Sequence, residues 1–299
     1  MTHMKVLLYG KKGWIGQKVY DLLINEGHEV IVGSCRAENV KGLEDEIIAF
    51  QPTNIISTIG RTHGTIGDVN YTTIDYLEQK GKVHENVRDN LYSPVMIAIM
   101  AQKHNIHYAY LGTGCIFSYD SEHPFGEESN GFTEDSVPNF FGSSYSVVKG
   151  YTDRLMKMFD NVLNVRIRMP ITSEINSRNF ITKITTYKKI CSVPNSMTVL
   201  PELLPVMIEM CKQRVTGTVN LTNPGLITHN EILEMYKEIV DNNFTWENFD
   251  IDEQRKILES ERSNNYLDTG RLESIYNVKH IRDSVRDVLV KMKNTSCNV

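Results

Sequence analysis

The sequence predicts an α/β protein built on a doubly wound parallel sheet, and three observations lead to this expectation. Short apolar runs alternate with amphipathic segments up to residue 167, as strands do when right-handed helical crossovers connect them. The first run, residues 5–9, ends at a glycine like a buried parallel strand. The next segment places Ile15, Val19 and Leu22 on one helical face. We therefore expect a Rossmann-type sheet covered on both faces.

The remaining pattern divides the chain into two unequal parts and a tail. Further strands are predicted at 29–32, 54–59, 107–111 and 162–167, and helices at 43–50, 86–103 and 143–159. After residue 168 five prolines interrupt a mixture of helices, at 200–212 and 229–240, with a strand at 216–221. We expect a Rossmann-type first domain at 4–167, and the turn and strand end described below predict that it binds NADP. A smaller, mainly substrate-binding lobe would follow at 168–292, with strands that can return to the first domain, and then a frayed tail at 293–299.

Composition narrows the class of protein. A net charge of −5 argues against broad nucleic-acid binding, which usually requires a basic surface. No apolar run approaches the roughly 20 residues of a membrane-spanning helix. Five cysteines without any CxxC pair fit free thiols in a reducing compartment and no metal site. The expectation is a cytoplasmic protein without membrane, nucleic-acid or metal partners.

The turn after the first strand reads Gly10-Lys-Lys-Gly13-Trp-Ile-Gly16. Glycines permit the tight turn and the close approach of a pyrophosphate, while the following helix presents free N–H groups to the phosphates. A glycine pattern alone is weak, but this one follows a strand and opens an amphipathic helix. The candidate cofactor-binding residues in this turn are Gly10, Gly13, Trp14, Ile15 and Gly16.

The end of the second strand indicates which dinucleotide binds. Many NAD enzymes place a carboxylate there for the ribose 2′-hydroxyl, whereas this sequence has Gly33-Ser-Cys-Arg36. Ser34 could hydrogen-bond a 2′-phosphate, and Arg36 could grip it with two nitrogens or stack on adenine. The prediction is therefore NADPH.

Tyr145 and Lys149 stand four residues apart and so share one face of a predicted helix. A phenol with an ordinary pKa near 10 is a poor acid–base group at neutral pH. A nearby ammonium is expected to stabilise the phenolate and lower that pKa, and Lys149 can also hold the nicotinamide ribose. On an isolated helix such a pair is more often a surface feature, but behind the glycine turn it predicts a catalytic pair that also contacts the cofactor.

The strand at 107–111 delivers Thr113 and Cys115 to the carboxyl edge of the sheet. Thr113 can donate a hydrogen bond to a substrate ketone. Residues two apart in an extended segment point the same way, so Cys115 is expected beside Thr113, where its thiol could transfer protons. The competing interpretation, a buried structural cysteine, is ordinarily the commoner one.

Together these residues resemble the extended short-chain dehydrogenases that act on nucleotide sugars. The threonine followed two residues later by cysteine is similar to GDP-fucose synthase. Further segments resemble the plant-type nucleotide-rhamnose synthases, which are 3,5-epimerase/4-reductases, and the likeness covers nearly the whole chain. They are Thr113–Phe117, Arg168–Ile171, Arg178–Lys183, Pro194–Leu200, Asn223–Gly225, His229–Tyr236 and Arg262–Asn265.

The resemblance implies a homodimer that uses NADPH to convert UDP-4-keto-6-deoxy-D-glucose to UDP-L-rhamnose. It also implies substrate contacts: Asn179 and Phe180 at the sugar–phosphate junction and Arg262 at the diphosphate. GDP-fucose synthase uses a histidine as its second epimerisation group. The corresponding region here has none, and Lys183 is the candidate. A 4,6-dehydratase would supply the substrate and could be a functional partner.

Two other functions stay open at this point. One is a simple 4-ketoreductase resembling dTDP-4-dehydrorhamnose reductase, without epimerase activity, although such an enzyme needs no thiol at position 115. The other is an inactive homologue serving as a regulatory subunit, which the intact Tyr145 and Lys149 disfavour. The sequence also leaves the choice between UDP and dTDP open.

Overall fold

The computed structural model describes residues 3–296, and within that range twelve strands form one large and three small sheets. In chain order the strands are β1 (Lys5–Tyr9), β2 (Glu29–Val32), β3 (Asn54–Ser57), β4 (Gly64–Ile66), β5 (Val69–Tyr71), β6 (His107–Thr113), β7 (Val162–Ile167), β8 (Pro170–Ile171), β9 (Lys189–Ile190), β10 (Thr198–Val199), β11 (Gly217–Asn220) and β12 (Glu247–Asn248). The large sheet has the order β11-β7-β6-β3-β1-β2 and is parallel throughout.

Helices connect the strands, with a 3₁₀ turn at Ile74–Glu78 and a π-helical turn at Arg88–Tyr92. They are α1 (Trp14–Asn25), α2 (Val40–Phe50), α3 (Val83–Val87), α4 (Ser93–Lys103), α5 (Ser144–Met156), α6 (Phe180–Thr186), α7 (Leu200–Lys212), α8 (His229–Ile239), α9 (Ile251–Ile257), α10 (Gly270–Glu273) and α11 (Ile281–Ser296). The predicted strand at 162–167 and helix at 200–212 are confirmed with the same bounds. The hairpin β4–β5 was not predicted.

Adjacent residues of β1 show that the sheet is covered on both faces. Leu8 packs into an apolar cluster with Val19 of α1 and Leu204 of α7. Leu7 points the other way and packs with Leu43 of α2 and Ile97 of α4. All six side chains are fully buried or nearly so, and each contributes roughly 2 kcal/mol of apolar transfer free energy. The Rossmann-type, doubly wound fold class is therefore confirmed.

A third apolar cluster forms the smaller lobe. Ile181 of α6, Ile232 of α8 and Val285 of α11 are fully buried in it. Two short parallel pairs, β8 with β10 and β9 with β12, brace its edge. This lobe extends beyond the carboxyl ends of the central strands, so a cleft opens between it and the sheet.

The chain passes between the two lobes more than once. Strand β11 pairs with β7 in the large sheet, and α7 covers the same face as α1. The segments 200–212 and 217–220 therefore pack with the first domain although they follow residue 168 in the chain. The domain boundary at residue 168 stays a prediction. Helix α11 continues through Ser296, so 293–296 are helical where a frayed tail was expected, and 297–299 lie outside the described residues.

Within residues 3–296, none of the helices combines the length and the apolar composition that a membrane crossing requires.

Candidate active site

A cavity of about 1060 Å³ lies at the carboxyl ends of β1, β3, β6 and β7, the place where open α/β sheets bind their ligands. We call its first side the cofactor wall; it consists of the glycine turn, Thr113, Cys115 and α5. We call a second group of lining residues the substrate wall; it consists of α6 and Arg262. The volume is at the upper end of ordinary ligand pockets, large enough for a cofactor and a substrate together.

The glycine turn leaves no space for side chains where it bends. Gly10 has φ +87°, a conformation that favours glycine. A Cβ at Gly16 would lie 2.1 Å from the Gly10 carbonyl oxygen. Gly13 forms the N-cap of α1, and Trp14 and Ile15 line the cavity directly after it. The backbone N–H groups at the start of α1 therefore face a cradle suited to a pyrophosphate.

The end of β2 is held by a carboxylate that sequence reasoning missed. Glu46 of α2 accepts hydrogen bonds from the backbone N–H groups of Ser34 (2.7 Å) and Cys35 (2.9 Å), and from the Ser34 hydroxyl. Burial alone would raise the pKa of Glu46, but hydrogen bonds from Ser34, Tyr9 and Cys35 hold it at about 2. The Ser34 hydroxyl therefore donates its hydrogen to Glu46 in this structure.

Arg36 lies beside this segment and is largely exposed. Its Nε donates to Glu38 at 2.6 Å, and one terminal nitrogen lies 3.9 Å from Asp89. Neither Ser34 nor Arg36 lines the cavity itself. Their contact with a 2′-phosphate stays a prediction.

The structure places Tyr145 and Thr113 together. Both side chains line the cavity, and the Thr113 hydroxyl lies close enough to influence the pKa of the Tyr145 phenol. Burial and then the neighbouring Cys115 raise the pKa of Tyr145 well above its ordinary value, although the nearby Thr113 hydroxyl opposes the shift. The expectation that Lys149 lowers this pKa is therefore wrong for the protein alone.

Lys149 is hydrogen-bonded to a different tyrosine, Tyr110. Its Nζ donates to the hydroxyl of Tyr110 at 2.5 Å and lies 4.7 Å from the centre of that ring. Burial lowers the pKa of Lys149 to about 8, although the charges of Asp153 and Cys115 oppose the shift. Tyr110, on β6, was not identified from the sequence, because nothing in the spacing relates it to Lys149.

Thr113 and Cys115 both line the cavity. A turn places them there, and not the extended segment that the sequence predicted. The chain turns after Thr113, and the backbone N–H of Cys115 donates to the Thr113 hydroxyl oxygen at 3.0 Å. The extended alternation assumed for residues 113–115 is wrong. The turn is anchored on its other side by Ser146, whose hydroxyl donates to the Cys115 carbonyl at 2.7 Å.

The buried residue Arg168 packs against the Thr113–Cys115 turn. The stem of Arg168 passes so close to Gly114 that a Cβ there would lie 2.9 Å from it. The guanidinium donates to the Asn265 side chain at 2.8 Å and to the Ser263 carbonyl at 2.8 Å. Asn265 in turn donates to the Gly114 carbonyl at 2.9 Å. Arg168 thereby fixes the Thr113–Cys115 turn against the segment that carries Arg262.

Lys183 lies on the substrate wall and lines the same cavity as Cys115. Asn179 is the N-cap of helix α6, and its side chain accepts a hydrogen bond from the Ile181 N–H. Lys183 follows in the first turn of this helix and lines the cavity. Burial, and then the charges of Arg178 and Arg262, lower the pKa of Lys183 to about 8. A depressed pKa is what a lysine base requires.

Of the three residues predicted to contact the substrate, Phe180 and Arg262 line the cavity and Asn179 does not. Phe180 lines the cavity and packs edge-on against His229 at 5.2 Å between ring centres. Asn179 is fully buried and does not line the cavity, because its amide donates to the carbonyls of Thr172 and Glu174. It orders the loop instead. A direct sugar–phosphate contact would fall to Phe180.

Arg262 lines the cavity but already has an anionic partner. Its guanidinium lies 2.6 Å from Asp75, so a diphosphate would have to share it. His63 also lines the cavity and was missed. Burial and the cations Arg178, Arg61 and Lys183 lower its pKa to about 4. The only sequence signal for His63 was its place after a predicted strand.

Among residues 3–296 there is no group of three His, Cys, Asp or Glu side chains that could hold a metal ion. The parallel sheet, the glycine turn and the paired Tyr145 and Lys149 define the class of the molecule. It is an extended short-chain dehydrogenase.

Comparisons with known proteins define the family within that class. The chain is 53% identical over 292 residues to protein L780 of Acanthamoeba polyphaga mimivirus, covering 97% of this chain and 99% of L780. The crystal structure of that protein, described as a UDP-rhamnose synthase, superposes with a TM-score of 0.92 at 52% identity and covers 97% of this chain and 100% of its own. No family model matches the chain.

A second relative comes from Arabidopsis thaliana. It is a bifunctional dTDP-4-dehydrorhamnose 3,5-epimerase/dTDP-4-dehydrorhamnose reductase, 42% identical over 269 residues that cover 90% of this chain and 86% of the relative. A Bacillus anthracis dTDP-4-dehydrorhamnose reductase, at 14% identity and a TM-score of 0.76 over 97% and 99% of the two chains, shares the fold. The chain belongs to the nucleotide-rhamnose synthase family of epimerase/reductases.

Proposed function

We propose that the chain converts UDP-4-keto-6-deoxy-D-glucose to UDP-L-rhamnose by epimerising C3 and C5 and then reducing C4 with NADPH. The two relatives described above, one a UDP-rhamnose synthase and one an epimerase/reductase, support this assignment. The single observation that carries it is that one cavity contains both sets of groups. Thr113 and Tyr145 suit the reduction, and Cys115 and Lys183 suit the epimerisation.

Epimerisation depends on the acidity that the 4-ketone gives to the C3 and C5 hydrogens. Removal of either proton leaves a carbanion that delocalises onto the ketone oxygen as an enolate. Cys115 reaches the cavity from the cofactor wall and Lys183 from the substrate wall. One group would remove a proton and the other would return one to the opposite face. Thr113 and Tyr145 would stabilise the enolate oxygen by hydrogen bonding.

Reduction uses the same oxygen. Bound NADPH would supply a hydride for C4, and the residues of the glycine turn would hold its pyrophosphate. Tyr145 would protonate the C4 oxygen, because its raised pKa keeps the phenol protonated at neutral pH. Lys149 would hold the nicotinamide ribose and stabilise the phenolate once it forms. Both reactions develop charge on one oxygen, so one cavity can serve them.

The preference for NADPH over NADH rests on the end of β2. Only the Nε of Arg36 is hydrogen-bonded to Glu38, which leaves its terminal nitrogens to approach a 2′-phosphate. Arginine suits such bidentate phosphate binding. The absence of a carboxylate among Gly33–Arg36 removes the usual partner of the NAD ribose.

A homodimer is part of the proposal. Apolar side chains are exposed along neighbouring helical segments: Tyr92 at 41%, Ile99 at 38% and Tyr151 at 59% of their surface. Helices α4 and α5, which carry Ile99 and Tyr151, pack side by side, so a second copy could cover them together. Tyr151→Lys should then shift the species seen by light scattering from dimer to monomer.

We also propose that the protein works in the cytoplasm, since the four cysteines among the described residues are all free thiols. A 4,6-dehydratase would supply the keto sugar. A longer Arabidopsis relative, of which this chain covers 39%, is described as a trifunctional enzyme with that dehydratase activity.

The test is incubation of the protein with NADPH and UDP-4-keto-6-deoxyglucose in D₂O, followed by NMR of the product. The proposal predicts UDP-L-rhamnose with deuterium at C3 and C5. A simple reductase would give a product without deuterium at those positions, and an inactive homologue would consume no NADPH. Cys115→Ala should abolish the deuterium exchange yet retain reduction of an already epimerised substrate. Loss of both activities in a folded variant would contradict the division of labour.

A further inference from the structure

The substrate wall carries more positive than negative charge. Arg178, Lys183 and Arg262 all line the cavity there, and Asp75 is the carboxylate that pairs with one of them. Asp75 lies 2.6 Å from Arg262 and also accepts hydrogen bonds from Ser260. Among the described residues, Arg178 and Lys183 have no carboxylate within ion-pair distance. They are two uncompensated, partly buried cations that face the same cavity.

These two cations converge on a single backbone oxygen. The Thr72 carbonyl accepts a hydrogen bond from a terminal nitrogen of Arg178 at 3.4 Å and from the Nζ of Lys183 at 3.5 Å. The two charged groups therefore lie no more than about 7 Å apart. The fixed start of α6 at Asn179, between them in sequence, holds this spacing.

We propose that Arg178 is a positioning residue for Lys183: its guanidinium shares the Thr72 carbonyl with the amine, directs that amine at the substrate and favours its neutral, proton-accepting form. This inference rests on the proposed function, in which Lys183 is an epimerisation base. Arg178 would influence epimerisation through its effect on Lys183 and without touching the substrate itself.

The surroundings of Lys183 support this assignment. Burial lowers the pKa of Lys183 most, followed by Arg178 and then Arg262. Because Asp75 offsets the charge of Arg262, Arg178 is the cation whose field is not compensated. The other titratable groups that line this part of the cavity include Lys188 and Lys189, which are exposed cations. They also include His63 and His229, whose pKa values of about 4 keep them neutral, and Tyr187, whose pKa burial raises.

Arg178 itself stays charged. Burial lowers its pKa, but a guanidinium starts from so high a value that it remains a cation at neutral pH. A lysine base beside a permanent cation loses its proton more readily, because the protonated form is repelled. At about 7 Å and an effective dielectric constant of about 20, the repulsion alone would lower the Lys183 pKa by roughly 1.7 units; screening by solvent and salt at this partly exposed site reduces the expected shift to about one unit.

The deciding experiment measures Lys183 directly, without substrate. Competitive acetylation of the intact protein between pH 6 and 11, followed by peptide mass spectrometry, gives the pH at which the Lys183 amine becomes reactive. We expect an inflection near pH 8 in the wild type. In Arg178→Gln it should move up by about one unit, which means about tenfold slower labelling at pH 7. Arg178→Lys, which keeps the charge, should retain the wild-type inflection.

A matched control is Arg214→Gln. Arg214 also donates to backbone carbonyls, of Thr53 at 3.2 Å and Asn105 at 3.5 Å, but it does not line the cavity. Its removal should leave the Lys183 inflection unchanged. Arg178→Ala provides a second charge-removing variant should the glutamine variant fail to fold.

An unchanged Lys183 inflection in folded Arg178→Gln or Arg178→Ala would overturn the proposal. With keto-sugar substrate in D₂O, the pH profile of exchange at C3 and C5 should move by the same amount as the labelling inflection. If labelling moves but the wild type shows no exchange at all, the proposed function fails and the electrostatic role of Arg178 stands. The two ideas are therefore separately testable.

Discussion

Lys149 lies on the cofactor wall and Lys183 on the substrate wall, and burial lowers the pKa of each to about 8. Their charged neighbours differ in sign. Asp153 and Cys115 favour the ammonium form of Lys149, whereas Arg178 and Arg262 disfavour that of Lys183. Similar pKa values thus arise from opposite surroundings.

The difference shows how one cavity could support the separate tasks proposed above for Lys149 and Lys183. The neighbours of Lys149 attract its positive charge, and its Nζ has a hydroxyl partner in Tyr110, which suits a group that stabilises a developing phenolate. The neighbours of Lys183 repel its positive charge, which suits a group that must accept a proton. The predictions below test this contrast.

The largest expected effect is that of Lys149→Met on reduction. Loss of its charge should slow NADPH oxidation with an already epimerised substrate by about 10³-fold, within the range of general acid–base contributions. Exchange of deuterium into C3 and C5 should change less than about tenfold, because Lys149 has no part in it. Lys157→Met, which removes a lysine bound to the Glu134 carbonyl, is the control. Equal losses of reduction and of deuterium exchange would contradict the proposal that Lys149 acts in reduction alone.

Lys183→Met should produce the reverse pattern. Epimerisation should fall by about 10²-fold, while reduction of an epimerised substrate persists. The variant should also be more stable at pH 7, by about 1 kcal/mol after allowance for partial solvent exposure, since a buried unpaired cation is removed. Urea unfolding measures the gain, and Lys41→Met, at an exposed site, serves as the reference. A less stable variant would show that Lys183 is structural.

The pH dependence of the wild type should separate the two steps. Exchange should rise with pH and level off above about 8, as Lys183 loses its proton. Reduction should instead fall above about pH 8, as Lys149 loses the charge that stabilises the phenolate; Tyr145, whose pKa is raised, should add no loss of its own there.

The same titration affects stability. The folded pKa of Lys183 lies below the unfolded value of about 10.4, so between about pH 8 and 10.4 the unfolded chain binds more protons. Wild-type stability relative to Lys183→Met should therefore rise with pH through that window. A constant difference would contradict the lowered pKa.

The smallest effect is expected at the link between the two walls. Glu174, in the loop before α6, lies 2.6 Å from Lys18 and accepts a hydrogen bond from the Trp14 ring nitrogen at 3.1 Å. Glu174→Gln should cost less than about 1 kcal/mol, as exposed ion pairs do, and weaken NADPH binding by at most about threefold. Fluorescence titration against Asp287→Asn, another surface ion pair, checks this. A tenfold loss would mean that the link closes the cleft.

The sequence predicted local structure well and contacts between distant segments poorly. Strand β7 and helix α7 follow from apolar periodicity, and the glycine turn from a motif whose geometry is local. The pairing of Lys149 with Tyr110, of Arg262 with Asp75, and of Ser34 with Glu46 joins segments that no spacing rule relates. Cys115 was placed in the cavity by an extended-strand argument, whereas a hydrogen-bonded turn puts it there.

The position of β11 has a consequence for how the protein is made. This edge strand, Gly217–Asn220, completes the large sheet against β7, so about three quarters of the chain must leave the ribosome before that sheet can close. Until then the backbone groups along the free edge of β7 have no strand partner, and such edges invite pairing with other chains. Fragments that end near residue 168 should therefore aggregate during synthesis, and the cofactor-binding half is a poor candidate for expression on its own.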